Sequence, residues 1–137
     1  MKARALAVIL AAAAGAFTSA QAGPYDQPYA LFQAREKSVA QDLAPATVMK
    51  IDGQQARIGK NDPVPPGKRS VEVSVPGARG MSNPERQVVE VNAAPCTRYY
   101  FAAKRSSPTA HDWKAYVDRE EPIGECKKKF MKDAPKS

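Results

Sequence analysis

Valine recurs at every second position in Arg69-Ser70-Val71-Glu72-Val73-Ser74-Val75, with polar residues between. A period of two places Val71, Val73 and Val75 on one side of an extended chain, whereas a helix would spread them around its circumference. β-branched side chains also suit the pleated surface of a strand. The stretch therefore reads as a β-strand with one buried side, and such a strand is stable only when paired with others.

The rest of the chain supplies partners. Ala46 to Ile51 reads as a strand, Asp52-Gly53 is a tight-turn signal, and Gln54 to Ile58 would be its short return partner. Val88-Val89-Glu90-Val91 has Val89 and Val91 inward, and Tyr99-Tyr100-Phe101-Ala102-Ala103 has Tyr99 and Phe101 inward. Trp113, Ala115 and Val117 alternate with Lys114, Tyr116 and Asp118 to make a further strand, after which Glu120 to Gly124 turns the chain towards Cys126. Pro65 and Pro66 remove two backbone donors, so that segment crosses between sheets or covers an edge. Pro76 to Arg86 lacks a pattern and is expected to be an exposed hairpin loop. Tyr29 to Leu43 stays open between a strand at Tyr29–Gln33 and a helix ended by Pro45.

The first residues set the compartment. Lys2 and Arg4 precede an apolar run from Ala5 to Phe17 that closes on Ala20-Gln21-Ala22. That is the layout of a secretory signal peptide cleaved after Ala22, with too short an apolar core to span a membrane. Cleavage leaves 115 of 137 residues, enough for one two-layer domain. The expected organisation is a signal peptide at 1–22, a leader at 23–28, a single β-sandwich domain at 29–131 and a flexible tail at 132–137. The mature chain has no transmembrane segment on this reading and is periplasmic or fully secreted.

Only Cys96 and Cys126 are present, and in an oxidising compartment an even pair is read first as one disulfide. The fold expected is thus a small antiparallel all-β sandwich with one disulfide. The mature chain carries 19 basic and 14 acidic residues. That balance favours an anionic envelope surface or an envelope protein as partner. The basic residues are scattered apart from Lys127-Lys128-Lys129, which with export argues against nucleic acid.

Ile51-Asp52-Gly53, a spacer, Pro65-Pro66-Gly67-Lys68-Arg69-Ser70-Val71-Glu72-Val73 and then Pro76-Gly77 resemble the core of PEGA-type modules over about 30 residues. In that family a strand ending in Asp-Gly is followed by a Pro-x-Gly-x-His-x-Val-x-Val strand. Here Arg69 stands where His is frequent, and the Pro-Glu-Gly-Ala run is absent. The resemblance implies a transthyretin-like or immunoglobulin-like sandwich serving as a binding or spacer module of bacterial envelope proteins.

Chemistry-bearing residues are few. His111-Asp112 is the sole His beside a carboxylate, with Ser106 and Ser107 as nominal nucleophiles, but no nucleophile elbow accompanies them. Asp118, Glu120 and Glu121 lack calcium-loop spacing, and one His with two Cys makes no zinc set. No catalytic residue, metal site or cofactor is expected. Two surfaces stand out instead. Arg79, Met81, Asn83 and Arg86 lie in the expected loop, and Tyr100 and Tyr116 could form an aromatic surface. The function read from this is a non-catalytic exported binding or structural module of the cell envelope. The alternative is a small secreted enzyme inhibitor acting through the Arg79–Arg86 loop, and a hydrolase using His111 ranks third.

Overall fold

The computed structural model describes residues 23–57, 62–77 and 80–131, with side chains throughout except at residues 80–82. The expected signal peptide, the tail from residue 132 and Arg79 lie outside the described residues. Eight strands and one helix follow in order: β1 (Ala30–Ala34), β2 (Leu43–Pro45), β3 (Thr47–Ile51), β4 (Gln54–Gln55), β5 (Gly67–Gly77), β6 (Gly80–Ala93), β7 (Thr97–Lys104), β8 (Lys114–Pro122) and α1 (Gly124–Phe130).

The strands form the two sheets of an all-β sandwich. One runs β4-β3-β5-β6 and is antiparallel throughout. The other is centred on β7, which pairs antiparallel with β8 along one edge. Its opposite edge is shared by two strands. β1 runs parallel to Thr97–Phe101, and β2 returns antiparallel along Ala102–Lys104. The two meet at the Phe101 carbonyl, which accepts from the Arg35 N–H at 2.9 Å and the Ala46 N–H at 3.2 Å. The parallel pairing of β1 departs from the all-antiparallel expectation. It follows from the long connection between residues 34 and 97, which leaves the direction of β1 unconstrained by any hairpin.

The inner faces enclose Val71, Val73, Val75, Val91, Tyr99, Phe101, Phe32, Val48 and Val64. Phe101 is 0% exposed, and the Phe32 ring meets Tyr99 and Phe101 edge-on at centroid distances of 5.6 and 5.7 Å. The Tyr99 hydroxyl accepts from the Ala94 N–H at 2.8 Å, so this buried ring keeps a partner for its polar end.

Local chemistry explains the turns. Asp52 and Gly53 both have positive φ, 51° and 80°, as a two-residue hairpin of the primed type requires. The Asp52 carboxylate then accepts from the Ser70 N–H at 2.9 Å and pairs with Arg69 at 3.0 Å. Arg69 also donates to the carbonyls of Pro65 and Pro66 at 2.9 and 3.2 Å, which fixes the proline segment against β5.

The open stretch Tyr29–Leu43 resolves as the strand alternative, β1 followed by irregular chain up to β2, and three boundaries differ from the sequence reading. Ala46 is the buried crossing between β2 in one sheet and β3 in the other. The 76–86 stretch is strand on both sides of residues 78 and 79, because β5 continues through Gly77 and β6 begins at Gly80. There a Cβ on Gly77 would come within 1.8 Å of the Asn83 carbonyl oxygen, so close backbone approach demands glycine. Finally, β8 continues to Pro122 and is followed by α1, where a simple turn was expected.

The disulfide joins Cys96, in the turn between β6 and β7, to Cys126 on α1. With Tyr29, Leu31 and Ile123 it forms a second small core on the outer side of the β7 sheet, and Phe130 and Met131 pack against it. Cys96 has φ 54°, a left-handed conformation that ordinarily favours glycine. The Cys96 N–H donates to the Tyr29 carbonyl at 2.8 Å, and its own carbonyl accepts from the Ile123 N–H at 2.9 Å.

Candidate functional site

The outer face of the β7 sheet carries a dense group of charged and aromatic side chains. On β7 the outward residues are Arg98, Tyr100, Ala102 and Lys104, because Tyr99, Phe101 and Ala103 point into the core. Opposite them on β8 stand Glu121, Arg119, Tyr116 and Lys114. Simple alternation would put Tyr116 and Arg119 on opposite faces. The register shifts between Tyr100 and Phe101, leaving Asp118 as an extra residue, so both face outward.

Tyr100 is only 4% exposed, beneath the Arg119 guanidinium, whose carbon lies 4.0 Å from the ring centroid. The Tyr100 hydroxyl donates to Glu121 at 2.9 Å, and Arg119 pairs with Glu36 at 2.7 Å. Tyr116 is half-buried, and its hydroxyl donates to Asp118 at 3.1 Å. Burial, with help from the adjacent carboxylate, pushes the Tyr116 hydroxyl above its usual pKa. Arg35 reaches the same Asp118 oxygen at 3.5 Å. Tyr100 is therefore covered by Arg119 and offers no open aromatic surface, while Tyr116 stays half-buried beside it. Arg35, Arg98 and Arg119 each hold a buried Nε with no hydrogen bond among the described residues. Arg119 Nε does lie 3.4 Å from Glu121, an ion-pair contact without hydrogen-bond alignment.

At one end of this face the charge balance fails. Lys104 and Lys114 are directly opposite on adjacent strands, a like-charge pair that disfavours the sheet. Neither has an ion-pair partner among the described residues. Together with Arg105, Ser106, Asp112, Ala115 and Tyr116 they line an open groove of about 430 Å³. Arg105 is held in place by two bonds to the Gln41 carbonyl, at 3.0 and 2.6 Å, and by the Trp113 ring 4.6 Å away. The groove thus presents three cations, one of them fixed, beside one carboxylate.

That carboxylate is already engaged. Asp112 accepts from the Ser106 N–H at 3.0 Å, which holds its carboxyl below the usual aspartate range. It orients its own loop and leaves the exposed His111 unoriented, so the geometry gives the hydrolase reading no support. Ser107 lies in the same loop.

Of the other sequence candidates, Asn83 and Arg86 are exposed on β6, and Arg86 pairs with Glu72 at 2.8 Å. Met81 lies on β6 without a described side chain. Cys96 and Cys126 form the expected disulfide. No group of three or more His, Cys, Asp or Glu able to hold a metal occurs among the described residues. None of their helices is long and apolar enough to cross a membrane. The lysine pair and the arginine layer escaped the sequence reading. Which residues of the two strands face each other was not legible, because the long connection between Lys104 and Lys114 fixes no register. Comparison with known protein families, curated proteins and solved structures finds no match for the chain.

Proposed function

We propose that the protein is a non-catalytic exported module of the bacterial cell envelope. On this reading it binds an acidic group, carboxylate or phosphate, of an envelope partner in the Lys104–Lys114 groove. The observation that carries the reading is the pair of lysines, unpartnered among the described residues, set face to face beside the fixed Arg105. Two such cations in register cost stability unless an anion sits between them. Arg35 and Arg119 of the arginine layer on the same face are already paired with Asp118 and with Glu36 and Glu121, so the attraction for an anion is centred on the groove.

Export is supported by the signal-like first 22 residues and by the disulfide, which persists in oxidising compartments. A PEGA-like, transthyretin-like arrangement is supported by the Asp-Gly turn and the Asp52–Arg69 pair, which tie the two halves of the motif together.

Cross-linking mass spectrometry on the protein in its native envelope tests the proposal. We expect one acidic partner linked through Lys104 or Lys114, released by moderate salt and lost in the K104E/K114E variant. A partner captured equally well by that variant would overturn the groove as the site. Recovery of chains that retain residues 1–22, or that carry free thiols, would overturn the exported reading.

A further inference from the structure

We infer that two copies of this chain associate by antiparallel pairing of their β6 strands, joining the two β4-β3-β5-β6 sheets into one continuous sheet.

Among the described residues β6 is an edge strand, paired along one side with β5. The direction of its backbone groups follows from Ser70. The Ser70 N–H donates to the Asp52 side chain and its carbonyl accepts from the Asp52 N–H, so Ser70 points towards the β3–β4 hairpin. The backbone groups of Arg69, Val71 and Val73 then point the other way, towards their partners Val91, Val89 and Gln87 on β6. By alternation the N–H and carbonyl groups of Arg86, Val88 and Glu90 face away from β5, along the open edge. Pro84 falls on the same side of the strand, where its missing N–H costs no bond to β5.

The side chains of Arg86, Val88 and Glu90 share the outer face of the sheet. Val88 is 60% exposed, one of three large apolar residues left so open among the described residues. Glu90 is exposed and has no ion pair among the described residues. Arg86 pairs with Glu72 of its own chain at 2.8 Å through one terminal nitrogen, so a contact to a second copy would use the rest of its guanidinium.

Charged residues on an edge ordinarily discourage pairing. Here they are self-complementary about one point. With a two-fold axis through Val88, Val88 meets Val88 of the second copy, and each Arg86 stands opposite the other copy's Glu90. Arg86, Val88 and Glu90 of each copy form hydrogen-bonded pairs in that register, so the main-chain bonds, the apolar contact and both ion pairs coincide. A slip of four residues one way places Arg86 opposite Arg86, and the same slip the other way places Glu90 opposite Glu90. A slip of two breaks both ion pairs. One register is therefore favoured, and it gives a closed isologous dimer, not an open fibre.

Sedimentation equilibrium of the disulfide-bonded chain across a concentration series tests this, with circular dichroism confirming the fold of every variant. We expect a monomer–dimer equilibrium. V88P removes only an outward-facing N–H and should abolish the dimer while leaving the sandwich folded. E90R places like charges across the axis and should weaken dimerisation by about tenfold or more. R86E should do the same, and mixing E90R with R86E should restore a dimer of one copy of each. A wild-type chain that stays monomeric throughout the series overturns the inference. So does a dimer that survives V88P, or a mixture of the two charge variants that stays monomeric.

Discussion

The two sheets of the sandwich are built by different rules. In the β4-β3-β5-β6 sheet neighbours in space are mostly neighbours in sequence: β3 and β4 close on a two-residue turn, and β5 and β6 are consecutive. In the β7 sheet only β8 is a sequence neighbour of β7, and the whole opposite edge is gathered from distant parts of the chain. β1 reaches β7 from 67 positions away, and the disulfide closes a further 30-residue loop across its outer side. The first sheet draws its order from local turns and alternation. The second depends on long-range contacts, whose loop-closure cost must be met before they stabilise anything.

The largest test strikes the residue common to both. Phe101→Ala empties a site between the two sheets and should lower stability by about 3–5 kcal/mol in denaturant unfolding. If only the β7 sheet lost order, the two layers would not be sharing one core.

Removing the disulfide separates the layers. Cys96→Ser with Cys126→Ser should cost about 3–4 kcal/mol, since the cross-link spans 30 positions. Hydrogen exchange should speed up first at Ala30–Ala34 and in α1, while β5 and β6 amides stay protected. Uniform loss of protection would show that the sheets unfold as one unit and would erase the distinction.

A smaller effect is expected at Gln87. Its side-chain amide donates to the Trp113 carbonyl and accepts from the Ala115 N–H, both at 2.7 Å, so it acts as one more strand residue along the free edge of β8. Gln87→Ala leaves those groups unpaired and should cost about 1–2 kcal/mol. Protection should fall at Ala115 more than at any β5 amide.

The smallest effect is tied to pH. The Ser70 N–H and then Arg69 hold the Asp52 carboxyl below the usual aspartate range. A carboxyl with a depressed folded-state pKa contributes stability that is complete above its unfolded value, and that is lost as pH falls through the folded one. Stability should therefore hold above about pH 4 and decline below it. Asp52→Asn should flatten the part of that decline due to the β3–β4 hairpin. An unchanged acid profile in that variant would mean that the turn makes no pH-dependent contribution. Asp112 and Glu36, also depressed by backbone N–H groups, act in the same direction.

Legibility in the sequence followed the same division. Alternation at Val71, Val73 and Val75 and the Asp52-Gly53 turn are local signals, and each strand or turn inferred from them is present. Inward placement of Tyr99 and Phe101 also holds. The pairing of the two cysteines needed only their number and the oxidising compartment expected from the first 22 residues. The tyrosine surface was legible as residues but not as a surface, because the bulge at Asp118 reverses the phase of β8 and lays Arg119 over Tyr100. Nothing in a period of two announces where the count slips.

By itself, then, the sequence determined an all-β chain with one face of each strand apolar, its tightest turn and its single cross-link. These depend on residue type and on spacings of a few positions. Tertiary structure decided that β1 runs parallel to β7, that Ala46 carries the chain between sheets, that Lys104 faces Lys114, and that Arg86, Val88 and Glu90 line an open edge. Those outcomes depend on which strands become neighbours and in what register. That choice is made by burying the whole apolar surface at once, a quantity that no single stretch of the chain contains.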